Sequence, residues 1–269
     1  MSSCNAQTLD PRRRSLVCIG ALHDAPRLAC QRRVWWNGCI VRSMLAPVVV
    51  FDFDGTLVHG DSFTRFALEY LLENRWRALL VLPCLPFVAA LMLFRPTLSP
   101  GVSLFCWSLT FGLGQRPFVA ALRRFAEKTL PRYVNERALA ELSDRLARGE
   151  TIVVATAAPP VLVRTLLRAR RLAGVRIAGT RLVRCAGGLV TRPHCIGETK
   201  LHELRRKFGL TEWDHVYTDS ALDLPLARRA CAVTLVEASA RTLRRFEHTL
   251  GRSAAVRVLR DAPRRALPR

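Results

Sequence analysis

The chain has 269 residues, half of them apolar, which suffices for one large domain or a core with a smaller lid and excludes a chain too polar to bury a core. Its formal charge of +21 is carried almost wholly by arginine, since lysine occurs only as Lys128, Lys200 and Lys207. Such a surplus suits an anionic partner, a lipid surface or nucleic acid, or else reflects the base composition of a genome. The nine cysteines form no CxxC pair and no zinc-ligand spacing, and read as reduced, mostly structural thiols of a cytosolic environment.

Residues 1–43 carry seven arginines and no sustained period, and are expected to be a basic, disordered extension that precedes a domain starting near Met44. "APVVVFD" (46–52) then reads as a buried parallel strand, as do "TIVVAT" (151–156), "HVYTD" (215–219) and "AVTLVE" (232–237). Helical patterns follow at 159–172, 197–209 and 222–230. Alternating strands and helices predict an α/β fold, a Rossmann-like parallel sheet with helices on both faces. "RIAGTRLVRCAGGLVT" (176–191) predicts a hairpin with Gly-Gly at its turn, appended to the sheet. Nearly a hundred residues separate the first two strands, so 58–150 must be an inserted helical cap. The core is then 44–57 with 151–250, and 251–269 is expected to be a frayed basic tail.

The cap holds the run "ALLVLPCLPFVAALMLF" (78–94), seventeen apolar residues between Arg77 and Arg95. A straight helix of that length spans about 25 Å, short of a bilayer core of roughly 30 Å, and Pro83 and Pro86 would kink it. With "VSLFCWSLTFGLG" (102–114) it suggests a hairpin dipping into one leaflet, Arg77 and Arg95 meeting headgroups; the alternative is burial inside the cap.

The first strand ends in "FDFDGT". Asp52 and Asp54, at i and i+2, share a face beyond the strand's carboxyl end, and Gly55 permits the turn. "YTDSALDLP" offers Asp219 and Asp223 at another strand end. Four convergent carboxylates repel, and a hard cation that takes oxygen ligands and shares its site with phosphate, Mg²⁺, is the remedy. Thr156 closes the second strand beside a helix start, where a hydroxyl and backbone N–H groups could hold phosphate oxygens. Lys200, one of three lysines, suits a compact bridge between carboxylate and phosphate.

These residues, in this order, resemble the four motifs of the haloacid dehalogenase (HAD) superfamily of phosphohydrolases: DxDxT at Asp52, Asp54 and Thr56, a strand-closing Thr156, Lys200, and DSxxD at Asp219 and Asp223. The resemblance covers roughly 46–240. It implies Asp52 as nucleophile, forming an aspartyl-phosphate, and Asp54 as general acid and base. It also implies phosphate binding by Thr156 and Lys200, and Mg²⁺ held by Asp52, the Asp54 backbone carbonyl and Asp219, with Asp223 in support. "LLVLPCLPFVAALMLF", "FCWSLTFG", "CIGETKLHELRRKFG" and "YTDSALDLPLA" are further similar to the phosphatidylglycerophosphatase C family. That similarity implies an anionic phospholipid substrate at the bacterial inner membrane, with the active site facing the cytoplasm. A soluble phosphoserine-phosphatase-like enzyme of the cytoplasm is the alternative. Nucleic acid is not expected as a partner, because no recognition helix with interleaved aromatics occurs. Asp61 and Phe63 could sit at a cap hinge or simply start a helix. His59 could face substrate, although solvent exposure is the plainer expectation.

Overall fold

A computed structural model of the chain describes residues 33–36, 39–42, 46–94, 98–251 and 255–260. It divides into two units, 1–45 and 46–269. In the first, Arg33–Trp36 (β1) and Cys39–Arg42 (β2) pair antiparallel, Arg33 opposite Arg42. The rest of the expected disordered extension, and Met44, lie outside the described residues, as does Arg95.

The second unit is built on six parallel strands. These are β3 (Val48–Phe51), β4 (Thr151–Thr156), β5 (Arg176–Gly179), β8 (Trp213–Thr218), β9 (Ala230–Val236) and β10 (Ala255–Leu259). Their spatial order is β10-β9-β8-β3-β4-β5. The valine run of β3 is dry because both its faces are covered. Val49 and Phe51 enter one core cluster and Val48 and Val50 the other, the two-residue period of a strand. Ile152 and Val154 of β4 divide from Val153 and Ala155 in the same way. On the first face lie α6 (Glu136–Ala147), through Leu139 and Leu142, and α7 (Pro160–Ala169), through Leu162 and Leu166. On the second lie α8 (Glu198–Phe208), α9 (Leu224–Ala227) and α10 (Ala240–Leu250), through Leu204, Leu226 and Phe246. Phe51 stacks on Tyr217 across the β3–β8 pair, centroids 4.2 Å apart.

Chain order runs outward from β3 through β4 to β5, then returns to β8 and runs the other way to β10. The sheet therefore reverses beside β3, and the crevice for a ligand opens at the carboxyl ends of β3, β4 and β8.

Between β3 and β4 run α1 (Ser62–Glu73), α2 (Arg75–Val81), α3 (Leu85–Met92), α4 (Leu98–Thr110), α5 (Gln115–Lys128) and α6. A 3₁₀ turn, Leu82–Cys84, separates α2 from α3 and holds Pro83, whose missing N–H breaks the regular helix. α5 returns to the core, its Leu122 and Phe125 joining the cluster of α6 and α7.

Three expectations are corrected. Residues 176–191 are not one hairpin: 176–179 form the edge strand β5, and only β6 (Leu182–Cys185) and β7 (Gly188–Thr191) pair antiparallel. That hairpin packs on α4 instead of extending the sheet. The Leu189 N–H donates to Thr110 Oγ1 at 2.8 Å, Trp107 Nε1 donates to the Ala186 carbonyl at 3.0 Å, and Ser103 and Thr191 hydroxyls pair at 2.6 Å. The tail is not frayed from 251, since Val256 and Val258 of β10 pack against the second core cluster. Residues 222–230 are not one helix: a 3₁₀ turn (Ala221–Asp223) leads into the single turn of α9. Among the thiols, Cys84, Cys106, Cys185 and Cys195 are free as expected of a reduced chain, but Cys231 is disulfide-bonded.

Arg77 is no surface headgroup ligand. It is buried, donates from Nη1 to the carbonyls of Leu109 (3.1 Å) and Phe111 (3.2 Å), and lies over the Trp76 ring. It ties α2 to the end of α4. α4 is itself enclosed at Cys106 and Leu109, so the apolar surface belongs to α1, α2, α3 and the turn between them. Twelve of the fourteen exposed large apolar side chains among the described residues fall within 68–111, with Leu79, Phe87 and Leu93 the barest at 73%, 68% and 77%. The run Arg75–Met92 has the length and composition to cross a membrane, and only 17% of it is buried. Its 18 residues rise about 27 Å at 1.5 Å each, just under a bilayer core.

Candidate active site

Seven of the residues singled out in the sequence line one cavity of about 360 Å³ at the switch point: Asp52, Asp54, Gly55, Asp61, Lys200, Asp219 and Asp223. Asp52 follows β3, and its N–H still pairs with the Tyr217 carbonyl at 2.9 Å, continuing the sheet by one residue. Its Oδ1 accepts from the Phe53 N–H at 2.7 Å and from Lys200 Nζ at 2.9 Å. Lys200, in the first turn of α8, also contacts both oxygens of Asp223, at 2.8 and 2.9 Å. Thr218 Oγ1 donates to the same Asp223 carboxylate at 2.9 Å. The ammonium is thus clamped between two acids, and Asp223 is committed to it.

Asp54 Oδ1 accepts from the Ser62 N–H at 2.8 Å, so the start of α1 aims this side chain. Thr56 Oγ1 donates to Asp219 Oδ1 at 3.5 Å. Gly55 has φ of +76°, and a Cβ there would land inside the Asp219 carboxylate. Only glycine permits both the turn and that approach. Thr156 is fully buried. Its Oγ1 accepts from the Ala158 N–H at 2.9 Å, and it is not among the residues that line the cavity, whereas Ala157 is.

The electrostatics follow from crowding. Burial pushes Asp52 well above the usual carboxylate range; the Lys200 ammonium pulls against this, and Asp223 and Asp219 add to the rise. Burial lifts Asp54 to about 6 against the hydrogen bonds from Ser62, and lifts Asp219 to about 6. Burial disfavours the Lys200 ammonium, but Asp223 and Asp52 outweigh it and hold the group charged. A carboxyl that titrates near 6 can both give and take a proton at neutral pH.

The donor set suits Mg²⁺. The cavity wall carries Asp52, Asp54, Asp61, Asp219 and Asp223 against a single ammonium. Among the described residues no three acidic, histidine or cysteine side chains form a ready-made cage. Mg²⁺ does not require one, since it keeps several waters and takes one or two carboxylates together with phosphate.

A second cavity of about 360 Å³ adjoins the first, and Asp54, Asp61 and Ala157 line both. Its wall is mostly apolar, with Leu85, Val88 and Met92 of α3, Val102 and Phe105 of α4, and Leu182 of β6. Asp61 caps α1, accepting from the Thr64 N–H at 2.6 Å, and Phe63 joins the lining, so both are helix-start and cavity residues at once. His59 is partly buried and bonded to Glu237 Oε2 at 3.2 Å, and lines neither cavity. Beside Thr64 and Thr191, His194 and Thr180 join the polar lining. Neither stood out in the sequence, because each lies in an irregular segment and converges only through the fold.

The sequence profile of the haloacid dehalogenase-like hydrolases matches residues 49–228, and the chain belongs to that family. It is similar to protein CicA of Caulobacter vibrioides, with 32% identity over 171 residues, 60% of this chain and 72% of that protein. Its fold resembles that of a protein of unknown function from Bordetella pertussis Tohama I (TM-score 0.60, 17% identity, 79% of this chain and 99% of that one). It also resembles a phosphoserine phosphohydrolase-like protein from Francisella tularensis (TM-score 0.55, 16% identity, 80% and 95%).

Proposed function

We propose that the chain is a Mg²⁺-dependent phosphomonoester hydrolase working through a phosphoryl-Asp52 intermediate, and that its substrate is a phospholipid monoester, phosphatidylglycerophosphate first among candidates. The observation that carries this reading is the junction of the two cavities at Asp54. One side is a carboxylate–lysine site fit for a phosphoryl group; the other is an apolar chamber fit for what the phosphate is attached to.

The Asp52 carboxylate attacks phosphorus in line with the leaving oxygen, and the P–O bond to the alkoxide breaks. Asp54, whose pKa is raised to about 6 so that a protonated fraction persists near neutral pH, gives that alkoxide its proton. Asp54 then takes a proton from water as the water attacks the phosphoryl-Asp52, releasing phosphate and restoring the carboxylate. Lys200 lies against Asp52 and offsets the negative charge that gathers there. Asp52, the Asp54 backbone carbonyl and Asp219 would hold Mg²⁺, which would supply charge neutralisation at the phosphoryl oxygens. Asp223 would support it indirectly, by fixing Lys200.

A phosphoserine-like leaving group would bring an α-carboxylate, yet among the described residues no arginine or lysine lines the apolar chamber to receive it. The acyl chains of a lipid-borne leaving group match the apolar wall, while the phosphodiester of phosphatidylglycerol, itself anionic, needs a cationic partner just as a carboxylate does. The exposed apolar surface of α1, α2 and α3 supports contact with the cytoplasmic face of the bacterial inner membrane, and the surplus of arginine suits anionic lipid. α3 would be the wall between bilayer and chamber, since Leu85 and Met92 both line the chamber and reach its outer rim.

The test is hydrolysis by purified protein with Mg²⁺, comparing phosphatidylglycerophosphate in mixed micelles with phosphoserine and other soluble phosphomonoesters. Preference for the lipid is expected. Preference for phosphoserine would overturn the lipid assignment in favour of the soluble alternative and leave the hydrolase reading in place.

A further inference from the structure

His194 is a group that the chemistry above does not use. It is 8% exposed, and its Nδ1 is enclosed with no hydrogen-bond partner among the described residues. Its ring lies in the wall between the apolar chamber and an open groove lined by Ser103, Arg192 and Thr199, so it belongs to both surfaces. The segment that carries it is held. The Ile196 N–H donates to the His194 carbonyl at 3.0 Å, and the Cys195 N–H donates to Thr180 Oγ1 at 2.9 Å. Burial lowers its pKa against the opposing pull of the Asp61 carboxylate, so the imidazole is neutral, with one nitrogen a donor and the other an acceptor.

A buried polar group left unpaired is costly and is normally satisfied. Here a polar strip of Asp54, Asp61, Thr180, Thr191 and His194 borders a chamber that is otherwise apolar. Asp54 marks where the leaving oxygen sits, so a ligand reaching from Asp54 into the chamber passes along that strip. Two of its members, Thr180 and Thr191, already have hydrogen bonds within the protein; the His194 Nδ1 has none among the described residues.

We propose that His194 is a specificity-determining residue that hydrogen-bonds a hydroxyl group carried by the leaving alcohol. The inference rests on the phosphomonoesterase reading and narrows it to a polyol phosphate, one with a free hydroxyl near the ester. The neutral ring accepts from or donates to that hydroxyl without a charge that would favour an acid.

The experiment compares two lipids of equal chain length. Phosphatidylglycerophosphate carries a free hydroxyl beside its terminal phosphate; phosphatidic acid carries none. The readout is the ratio of kcat/KM for the first over the second. In wild type the ratio is expected to favour the hydroxylated lipid. His194→Leu should lower it about 10- to 100-fold, and His194→Gln, which keeps a donor and an acceptor, should restore most of it. An unchanged ratio in His194→Leu would overturn the proposal, because a purely structural role slows both lipids alike; so would an equal fall of the ratio in both variants, because glutamine keeps a donor and an acceptor. Hydrolysis of p-nitrophenyl phosphate by wild type, lost in Asp52→Asn, separates the two failures: if it is absent, the phosphatase reading itself has failed.

Discussion

Asp223→Asn isolates the clamp on Lys200. In the native site the buried ammonium has Asp52 at 2.9 Å and both Asp223 oxygens within 2.9 Å, and Thr218 completes the Asp223 carboxylate. The substitution keeps the shape and removes one of two balancing charges. Breaking a buried ion pair by removing a single partner costs about 3–5 kcal/mol. Asp52 still faces the ammonium, so the lower figure, about 3 kcal/mol, applies. For a domain of this size each kcal/mol lowers Tm by roughly 2–4 °C, giving a fall of about 6–12 °C. Lys200 then leans on Asp52 alone, and turnover should fall as well. The assay is thermal denaturation followed by circular dichroism, on Asp223→Asn, Lys200→Met and the double variant. Because the pair is in contact, the double variant should cost less than the two single losses combined, by at least about 1 kcal/mol. A fall below about 2 °C in Asp223→Asn, or simple additivity in the double variant, would refute the clamp.

Further predictions concern other parts of the site and surface. Gly55→Ala drives a methyl group into the Asp219 carboxylate, and a displacement of that order costs about 100-fold or more in kcat; activity within about tenfold of wild type would show the loop to be slack. His215 accepts from Arg145 and pairs with Thr234 Oγ1, and burial first, then Arg145, lowers its pKa to about 3. The unfolded chain therefore binds a proton that the folded chain refuses, and stability should fall as pH drops from about 6.5 towards 3, by up to about 1.4 kcal/mol per pH unit. Asp54 and Asp219, raised to about 6, act with the opposite sign, so the difference between wild type and His215→Gln in denaturant melts across this range isolates the histidine; parallel curves would contradict it. The triple variant Leu79→Ser, Phe87→Ser, Leu93→Ser should bind anionic vesicles at least about tenfold more weakly, with p-nitrophenyl phosphate hydrolysis unchanged; undiminished sedimentation with vesicles would remove the membrane face.

The parallel core was legible because its strands are buried on both faces and so read as unbroken β-branched runs; β4 was placed to the residue. β10 was missed because "AVRVL" sits at the edge within an arginine-rich tail, where one strand face is wet and the apolar run is broken. The hairpin was drawn too long because β5 and β6 are joined by only two residues; the turn lies at Ala186 and Gly187, both at positive φ, one position before the Gly-Gly pair. The clustered carboxylates were legible because strand ends confine them to fixed spacing. Arg77 was misplaced because local sequence shows an arginine bordering an apolar run but not the two α4-end carbonyls waiting for it. His194 gave no signal, since its significance lies in a cavity built from α3, α4, β6 and the loop before α8, which no local pattern encodes.

Acid-quenched turnover with Mg²⁺ and a phosphomonoester, followed by peptide mass analysis, tests the central claim most directly. One phosphoryl group should be found on the peptide that carries Asp52, and none on that peptide in Asp52→Asn, which should not turn over. Sustained hydrolysis by Asp52→Asn, or a phosphoryl group trapped on a different residue, would contradict the account.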